Sequence, residues 1–255
     1  MPSAELIEIL GPALAIGLMV AVVHAPIGIE VLARGIVFID LAIAQIAGLY
    51  VILVNLWWHE PSWLMIQAAA ALSAVIAAIV FRWVEQKLPR EQEAIIGSTF
   101  ILAASAALLA VADHPRGGEE IQHILAGQIL FVSWSDAVVF APFYAIAAGL
   151  WFGCPRIRQG LPFFLLFALV VTMSVQLVGV YVVFASLILP ALAVNGMDRR
   201  KAVVAIGVGM LAVLAGITAS TLRDLPAGPV LVFAFAIAAI LCRLVSGISV
   251  RNKTA

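Results

Sequence analysis

The dominant feature of this sequence is a succession of apolar runs, each close to twenty residues long and bounded by charged residues, proline or glycine. About twenty apolar residues in an α-helix cross the hydrocarbon core of a bilayer. The pattern therefore predicts an all-α, polytopic membrane helix bundle. Its spans are predicted at residues 7–23, 36–57, 63–82, 94–112, 136–152, 161–180, 203–221 and 229–246.

A ninth apolar piece, residues 181–195, is shorter than the others and is interrupted by Pro190. Such a piece can be a re-entrant or broken helix where it packs inside protein. We therefore expect eight or nine transmembrane segments, which form a single transmembrane domain over residues 1–255.

Composition excludes a soluble globule, because 64% of the residues are hydrophobic and only 11% are charged. Soluble domains have about 25% charged residues, which cover their surface. The fourteen basic and fourteen acidic residues cancel, so no nucleic-acid partner is indicated. The sequence shows no Ser-His-Asp, Cys-His or paired-carboxylate arrangement of the kind that catalytic sites use, so we do not expect an enzyme. No lysine follows the glycine spacing that cradles phosphate, so any ATP must be bound by another chain.

Loop charge predicts the orientation of the chain. Twelve of the fourteen basic residues fall in one alternating set of loops and in the C-terminal end, and only Arg116 and Arg223 fall in the other set. Basic loops are cytoplasmic under the positive-inside rule. We therefore expect the N-terminus outside and the C-terminus in the cytoplasm, which requires residues 181–195 to return the chain to the cytoplasmic side.

Asp40 is the clearest candidate for chemistry within the membrane, because ionisable groups there are rare and costly. Gln45 follows five residues later, and both side chains supply oxygen ligands that suit a cation. Five residues of helix leave the two about 140° apart, so they share a face only if the helix breaks. In the alternative interpretation, Asp40 pairs with Arg34 and Gln45 forms a hydrogen bond between helices.

Further polar candidates lie in the sixth span and the outer loops. Thr172 and Gln176 are spaced i, i+4 and share a helix face, either in a helix–helix hydrogen bond or beside an aqueous path. The outer loops contain His59, His114 and His123, which could capture a metal ion or could belong to a solvated polar loop. We expect a fourth histidine, His24, to lie at the membrane interface.

Five collinear stretches resemble signatures of permeases from ABC-type metal-ion importers of the zinc/manganese class. They are IGIEVLARGIVFIDLAIAQIAG, EAIIGSTFILAASAALL, EIQHILAGQILFVSWSD, VQLVGVYVVFASLILPALAV and LRDLPAGPVLV. The resemblance implies a homodimer in a bacterial inner membrane that moves Zn²⁺, Mn²⁺ or a similar ion as substrate into the cytoplasm. It also implies two partners: a separate ABC ATPase that binds ATP, and an extracytoplasmic metal-binding protein.

The resemblance also implies residue roles. The segment from Pro190 to Lys201 would dock on the ATPase, with Arg199, Arg200 and Lys201 in the basic turn. Ser186, in the fourth stretch, joins Thr172 and Gln176 on the expected translocation path.

The second span departs from the pattern of the family, G-D-A-x-x-H-A, whose Asp and His are candidate metal contacts. Leu41 aligns with that Asp and Gln45 with that His, whereas Asp40 stands one residue earlier. Asp40 and Gln45 are therefore the metal contacts that we expect here, and Gln is a poorer ligand than imidazole for transition metals. The residues alone leave two other classes open: a self-sufficient secondary cation transporter or channel with Asp40 as relay, or a membrane scaffold.

Overall fold

A computed structural model describes residues 3–58, 60–111, 127, 129–197 and 200–246. Within these ranges the chain forms nine α-helices and no strand, so the all-α expectation is confirmed. The helices are α1 (Ser3–Arg34), α2 (Ile39–Trp57), α3 (Trp63–Lys87), α4 (Gln92–Ala110), α5 (Trp134–Gly153), α6 (Gly160–Val178), α7 (Val180–Ala193), α8 (Lys201–Arg223) and α9 (Ala227–Val245). Short 3₁₀ helices lie at Ile129–Phe131 and Pro155–Arg158.

Eight of these helices are long and apolar enough to cross a membrane. The ninth, α7, has 14 residues and carries Pro190 inside a continuous α-helix. The predicted broken piece is therefore a short, mostly buried helix over Val180–Ala193, and Pro190 does not interrupt it. Gly179 separates α7 from α6, since its φ of 80° and ψ of 162° lie in a region that only glycine adopts readily.

The predicted boundaries differ most at the end of the first span. α1 runs to Arg34, well beyond the predicted end at residue 23, and contains Pro12 and Pro26. Proline is tolerated in membrane helices because neighbouring groups satisfy the freed carbonyl. α2 then begins at Ile39, after a turn in which Gly35 has a φ of 69°. As a result Asp40 lies in the first turn of α2, nearer the helix end than the sequence suggested.

The described residues fall into two compact units. Unit 1 contains the described parts of 1–34, 128–148 and 181–255, in which α8 packs against α1 and α9. Gly28 of α1 lies against the backbone of α7, because a Cβ at this position would be only 1.9 Å from the Leu187 carbonyl oxygen. α1 and α7 therefore pack very closely at Gly28, which small residues permit in membranes.

Unit 2 contains the described parts of 35–127 and 149–180, in which α2 packs against α3 and α4, and α6 packs against α2 and α3. α6 is its central helix: 67% of its span is buried, against 17% for α4. Phe163 and Phe167 stack there with ring centroids 5.8 Å apart. The apolar side chains that α4 leaves exposed suit a lipid environment.

The connections of unit 2 that carry basic residues lie at one of its ends. α3 ends at Lys87, and a four-residue connection leads to α4, which starts at the same end. Arg82 of α3 also approaches Gly160, the first residue of α6. We call this end, where α2, α4 and α6 begin and α3 ends, the basic end of unit 2. It includes the connection with Arg156 and Arg158, and Arg158 donates two hydrogen bonds to the Trp151 carbonyl.

Candidate functional site

Asp40 is buried at the basic end of unit 2 without a partner. Only 1% of its surface is exposed, and neither carboxylate oxygen has a hydrogen-bond partner in the described part of the chain. The N–H groups of Asp40 and Leu41, in the unsatisfied first turn, approach the carboxylate without forming a hydrogen bond of acceptable geometry. A buried charge without a partner is costly, so this carboxylate is poised to accept a cation or a proton.

Arg34, the alternative partner predicted for Asp40, pairs within its own helix. It lies in the last turn of α1, where its guanidinium donates to the Glu30 carboxylate at 3.0 Å. This is an i, i+4 pair.

A second carboxylate, missed in the sequence, lies beside Asp40. Glu93 lies in the first turn of α4, which packs against α2, and it is close enough to interact electrostatically with Asp40. The Oε2 atom of Glu93 is buried and has no hydrogen-bond partner in the described residues. Its neighbour Gln92 is also buried, with Nε2 unpaired within the same part of the chain.

The sequence contained a usable signal for Glu93. The predicted fourth span began at residue 94, which left Glu93 in a loop, whereas α4 starts at Gln92. The connection between α3 and α4 is so short that the first turn of α4 must lie at the same end as the first turn of α2. Parallel, packed helices then bring Asp40 and Glu93 together.

Gln45 is buried in α2 but does not share the face of Asp40. The helix is continuous from Ile39 to Trp57, so a separation of five residues places the two side chains about 140° apart. α2 alone therefore cannot direct Asp40 and Gln45 at one ion, although each still faces protein, with 1% and 8% of its surface exposed.

Thr172 and Gln176 lie on α6, towards the other end of unit 2. Gln176 accepts a hydrogen bond from the side chain of Gln67 on α3, and its own Nε2 lies 3.5 Å from the Thr172 carbonyl oxygen. For Gln176, this is the helix–helix hydrogen bond that we gave as one alternative to a position beside an aqueous path. The sequence did not reveal Gln67 as its partner. The Thr172 Oγ1 atom is buried and has no partner among the described residues.

The predicted path residues of unit 2 therefore lie at different depths. At 1.5 Å per residue, Gln176 is about 24 Å and Thr172 about 18 Å along α6 from its start at the basic end. Asp40 and Glu93 lie at that end. The structure thus brings Asp40 together with Glu93, and Gln176 together with Gln67, but does not join the two pairs.

Ser186 is fully buried in unit 1, where it contacts His24. The Ser186 hydroxyl donates to the Val183 carbonyl at 2.9 Å, so its oxygen accepts the Nδ1–H of His24 at 2.7 Å. The expectation that His24 lies at the interface is wrong. α1 continues to Arg34, so His24 lies inside the helix and none of its surface is exposed.

The remaining predicted residues are only partly described. Pro190 is buried within α7, Arg200 is exposed at the N-cap of α8, and Lys201 is the first residue of that helix. Arg199 and the three loop histidines, His59, His114 and His123, lie outside the described residues. Among the residues that the structure describes, no group of three or more His, Cys, Asp or Glu side chains could hold a metal ion.

Comparison with known proteins identifies the family. The model of the ABC 3 transport family matches residues 6–156 and 139–246, which together span nearly the whole chain. The chain belongs to the ABC 3 transport family. It is therefore the membrane-spanning permease of an ABC transporter, as the sequence resemblance indicated.

The fold of this permease also has a solved counterpart. It is similar to a chain of the structure of PsaBC from Streptococcus pneumoniae in complex with Fab, with a TM-score of 0.67 and 19% identity. The match covers 92% of this chain and 91% of the other. The two chains therefore share a fold.

Proposed function

We propose that this permease imports a divalent metal ion such as Mn²⁺ or Zn²⁺ into the cytoplasm, using an ABC ATPase on a separate subunit. The observation that carries the proposal is Asp40, a fully buried carboxylate in a membrane helix with both oxygens unpaired. Unpaired ionisable groups in membrane helices mark ion pathways. Family membership supplies the ATP-driven mechanism, since permeases of ABC transporters work with ATPase subunits.

In the proposed mechanism, two copies of the chain form a homodimer and alternate between outward and inward openings. An extracytoplasmic binding protein delivers the ion, which passes polar side chains on its way to Asp40. Thr172 suits this role because its buried hydroxyl is unpaired within the described residues. Gln176 and Ser186 are the other expected path residues. To contact the ion, Gln176 would have to give up its hydrogen bond with Gln67, and Ser186 its hydrogen bond with His24. Gln45, the other predicted contact, lies about 140° around α2 from Asp40 and is left out of the proposed path.

The ATPase would dock on the turn between α7 and α8. Arg200 is exposed there and adopts a left-handed conformation with φ of 59°, and Lys201 follows at the start of α8. This turn directly follows the buried helix α7, so force applied to the turn would reach Ser186 and Pro190 through one short helix. Arg199 completes the proposed basic contact.

The decisive experiment is transport by proteoliposomes that contain the chain and its ATPase. ATP is enclosed, and the binding protein and Mn²⁺ or Zn²⁺ are supplied outside. We expect metal to accumulate with ATP and not with a non-hydrolysable analogue. Uptake by the chain without the ATPase would refute the proposal and favour the secondary transporter.

We also propose that the chain lies in a bacterial inner membrane with its N-terminus outside and its C-terminus in the cytoplasm. Cys154 tests this directly, since it is exposed beside Arg156 and Arg158 at the basic end of unit 2. In a Cys242→Ser background, a membrane-impermeant maleimide is expected to label Cys154 in inside-out vesicles and not in intact spheroplasts. Labelling in spheroplasts would reverse the orientation.

A further inference from the structure

We propose that Asp40 and Glu93 together form one cation site of oxygen ligands, and that Glu93 replaces the family histidine as the second metal contact. The site lies where α2 and α4 begin, at the basic end of unit 2. It suits a hard divalent cation of the Mn²⁺ type. The inference rests on the proposed function, metal import, and names the ligands and the class of substrate.

The electrostatics of Asp40 and Glu93 favour a cation between them. Two carboxylates that lie close together at low dielectric repel each other, and burial adds a desolvation penalty for each charge. No salt bridge joins Asp40 or Glu93 to a cationic side chain in the part of the chain that the structure describes. A divalent cation between them would offset both the repulsion and the desolvation.

The positions of the two acids agree with a shared cation. Both Asp40 oxygens and the Oε2 of Glu93 are inaccessible to solvent and have no hydrogen-bond partner among the described residues. Asp40 lies in the first turn of α2 and Glu93 in the first turn of α4, and these two helices pack against each other. Buried polar atoms in native proteins almost always have partners, so these unpaired oxygens favour a cation as their ligand.

Gln45 stands at the position of the family histidine, but it lies about 140° around a continuous helix from Asp40. Glu93 reaches Asp40 from a neighbouring helix, so it can serve where Gln45 cannot. In this chain the second ligand is therefore supplied by α4, whereas the family pattern places it on the second span.

The ligand types set the class of cation. Carboxylate oxygens without imidazole or thiolate suit Mn²⁺, Mg²⁺ or Ca²⁺, whereas Zn²⁺ sites usually include nitrogen or sulfur ligands. Only two carboxylates are near each other, which leaves coordination positions for water and suits an ion that must leave again. A transported ion is expected to bind such a site reversibly.

The test measures Mn²⁺ binding to the purified full-length chain in lipid nanodiscs by electron paramagnetic resonance, which distinguishes free from bound Mn²⁺. We expect Glu93→Gln and Asp40→Asn each to weaken binding by at least about tenfold, in the range for disturbed metal sites. Glu91→Gln is the matched control, because Glu91 is an exposed glutamate at the N-cap of the same helix. It is expected to bind Mn²⁺ like the wild type.

Two further variants keep the result interpretable. Glu93→Asp retains the charge and is expected to bind more tightly than Glu93→Gln, which a folding defect would not produce. Gln45→His is expected to leave Mn²⁺ affinity within about twofold, since residue 45 faces away from Asp40. Wild-type affinity in Glu93→Gln, equal loss in Glu91→Gln, no Mn²⁺ binding by the wild type, or a large gain in Gln45→His would each overturn the inference.

Failure of this inference can be told apart from failure of the proposed function. ATP-dependent metal uptake by proteoliposomes together with unchanged binding in Glu93→Gln would reject the Glu93 site and leave metal import standing. Absence of metal uptake under all conditions would reject the function itself.

Discussion

The contact between α1 and α7 provides a quantitative test of the packing in unit 1. Gly28→Ala would place a Cβ 1.9 Å from the Leu187 carbonyl oxygen and 2.7 Å from its carbon. These are backbone atoms, so no rotamer change can relieve the clash. α7 must retreat by about 1.5 Å to restore ordinary contact, and this retreat would forfeit much of the dispersion attraction along the interface.

The same movement would disrupt a buried hydrogen bond one helical turn away. His24 precedes Gly28 by four residues, and its Nδ1 is 2.7 Å from the Ser186 hydroxyl. A retreat of about 1.5 Å takes this pair out of hydrogen-bond range. Overpacking costs about 1–3 kcal/mol and a lost buried partner about 1–3 kcal/mol, while replacing glycine in a helix recovers about 1 kcal/mol. We therefore expect a net loss of about 1–5 kcal/mol.

The assay is thermal unfolding of the purified chain in detergent, followed by intrinsic tryptophan fluorescence. A loss of this size should lower the Tm by about 2–20 °C for a chain of this length. Gly207→Ala in α8 is the matched control, since nothing lies within 4 Å of the added Cβ. If Gly28→Ala unfolds at the same temperature as Gly207→Ala, the close contact of α1 with α7 is refuted.

Three further predictions test single contacts by the same unfolding assay. Ser186→Ala removes the acceptor of the His24 Nδ1–H and should cost about 1–3 kcal/mol; no change would mean that the hydrogen bond is absent. Gly179→Ala places a side chain at φ 80° and ψ 162° and should cost about 1–3 kcal/mol, and an unchanged Tm would contradict this backbone geometry. For Gln67→Ala and Gln176→Ala, a double-mutant cycle should give a coupling of about 0.6 kcal/mol and at most about 1.7 kcal/mol, whereas additive losses would exclude the pair.

The spans could be predicted from the sequence because the bilayer sets their length and hydropathy. All eight long helices and the short ninth lie where the apolar runs placed them. Helix ends were less predictable. α1 continues through Pro26 to Arg34, since packing overrides the local preference of proline to end a helix. That shift explains why His24 is buried and why Asp40 lies in a first turn.

The site was only half predictable because its two acids come from different helices. Asp40 was visible as a charge within an apolar run, whereas Glu93 looked like a loop residue two positions after Glu91. Only the start of α4 at Gln92 and the packing of α2 against α4 bring Glu93 to Asp40. Gln67 was hidden for the same reason, since its partner Gln176 lies on another helix.

The central claim is that a metal ion crosses this permease by way of Asp40 and that ATP hydrolysis drives it. The most direct measurement is ATP-dependent Mn²⁺ uptake by proteoliposomes that contain the ATPase with either wild-type chain or Asp40→Asn, at equal amounts of folded protein. The account expects uptake by the wild type to require ATP and uptake by Asp40→Asn to fall at least about tenfold, with Glu91→Gln unaffected. Full uptake by a folded Asp40→Asn chain, or wild-type uptake without ATP, would contradict it.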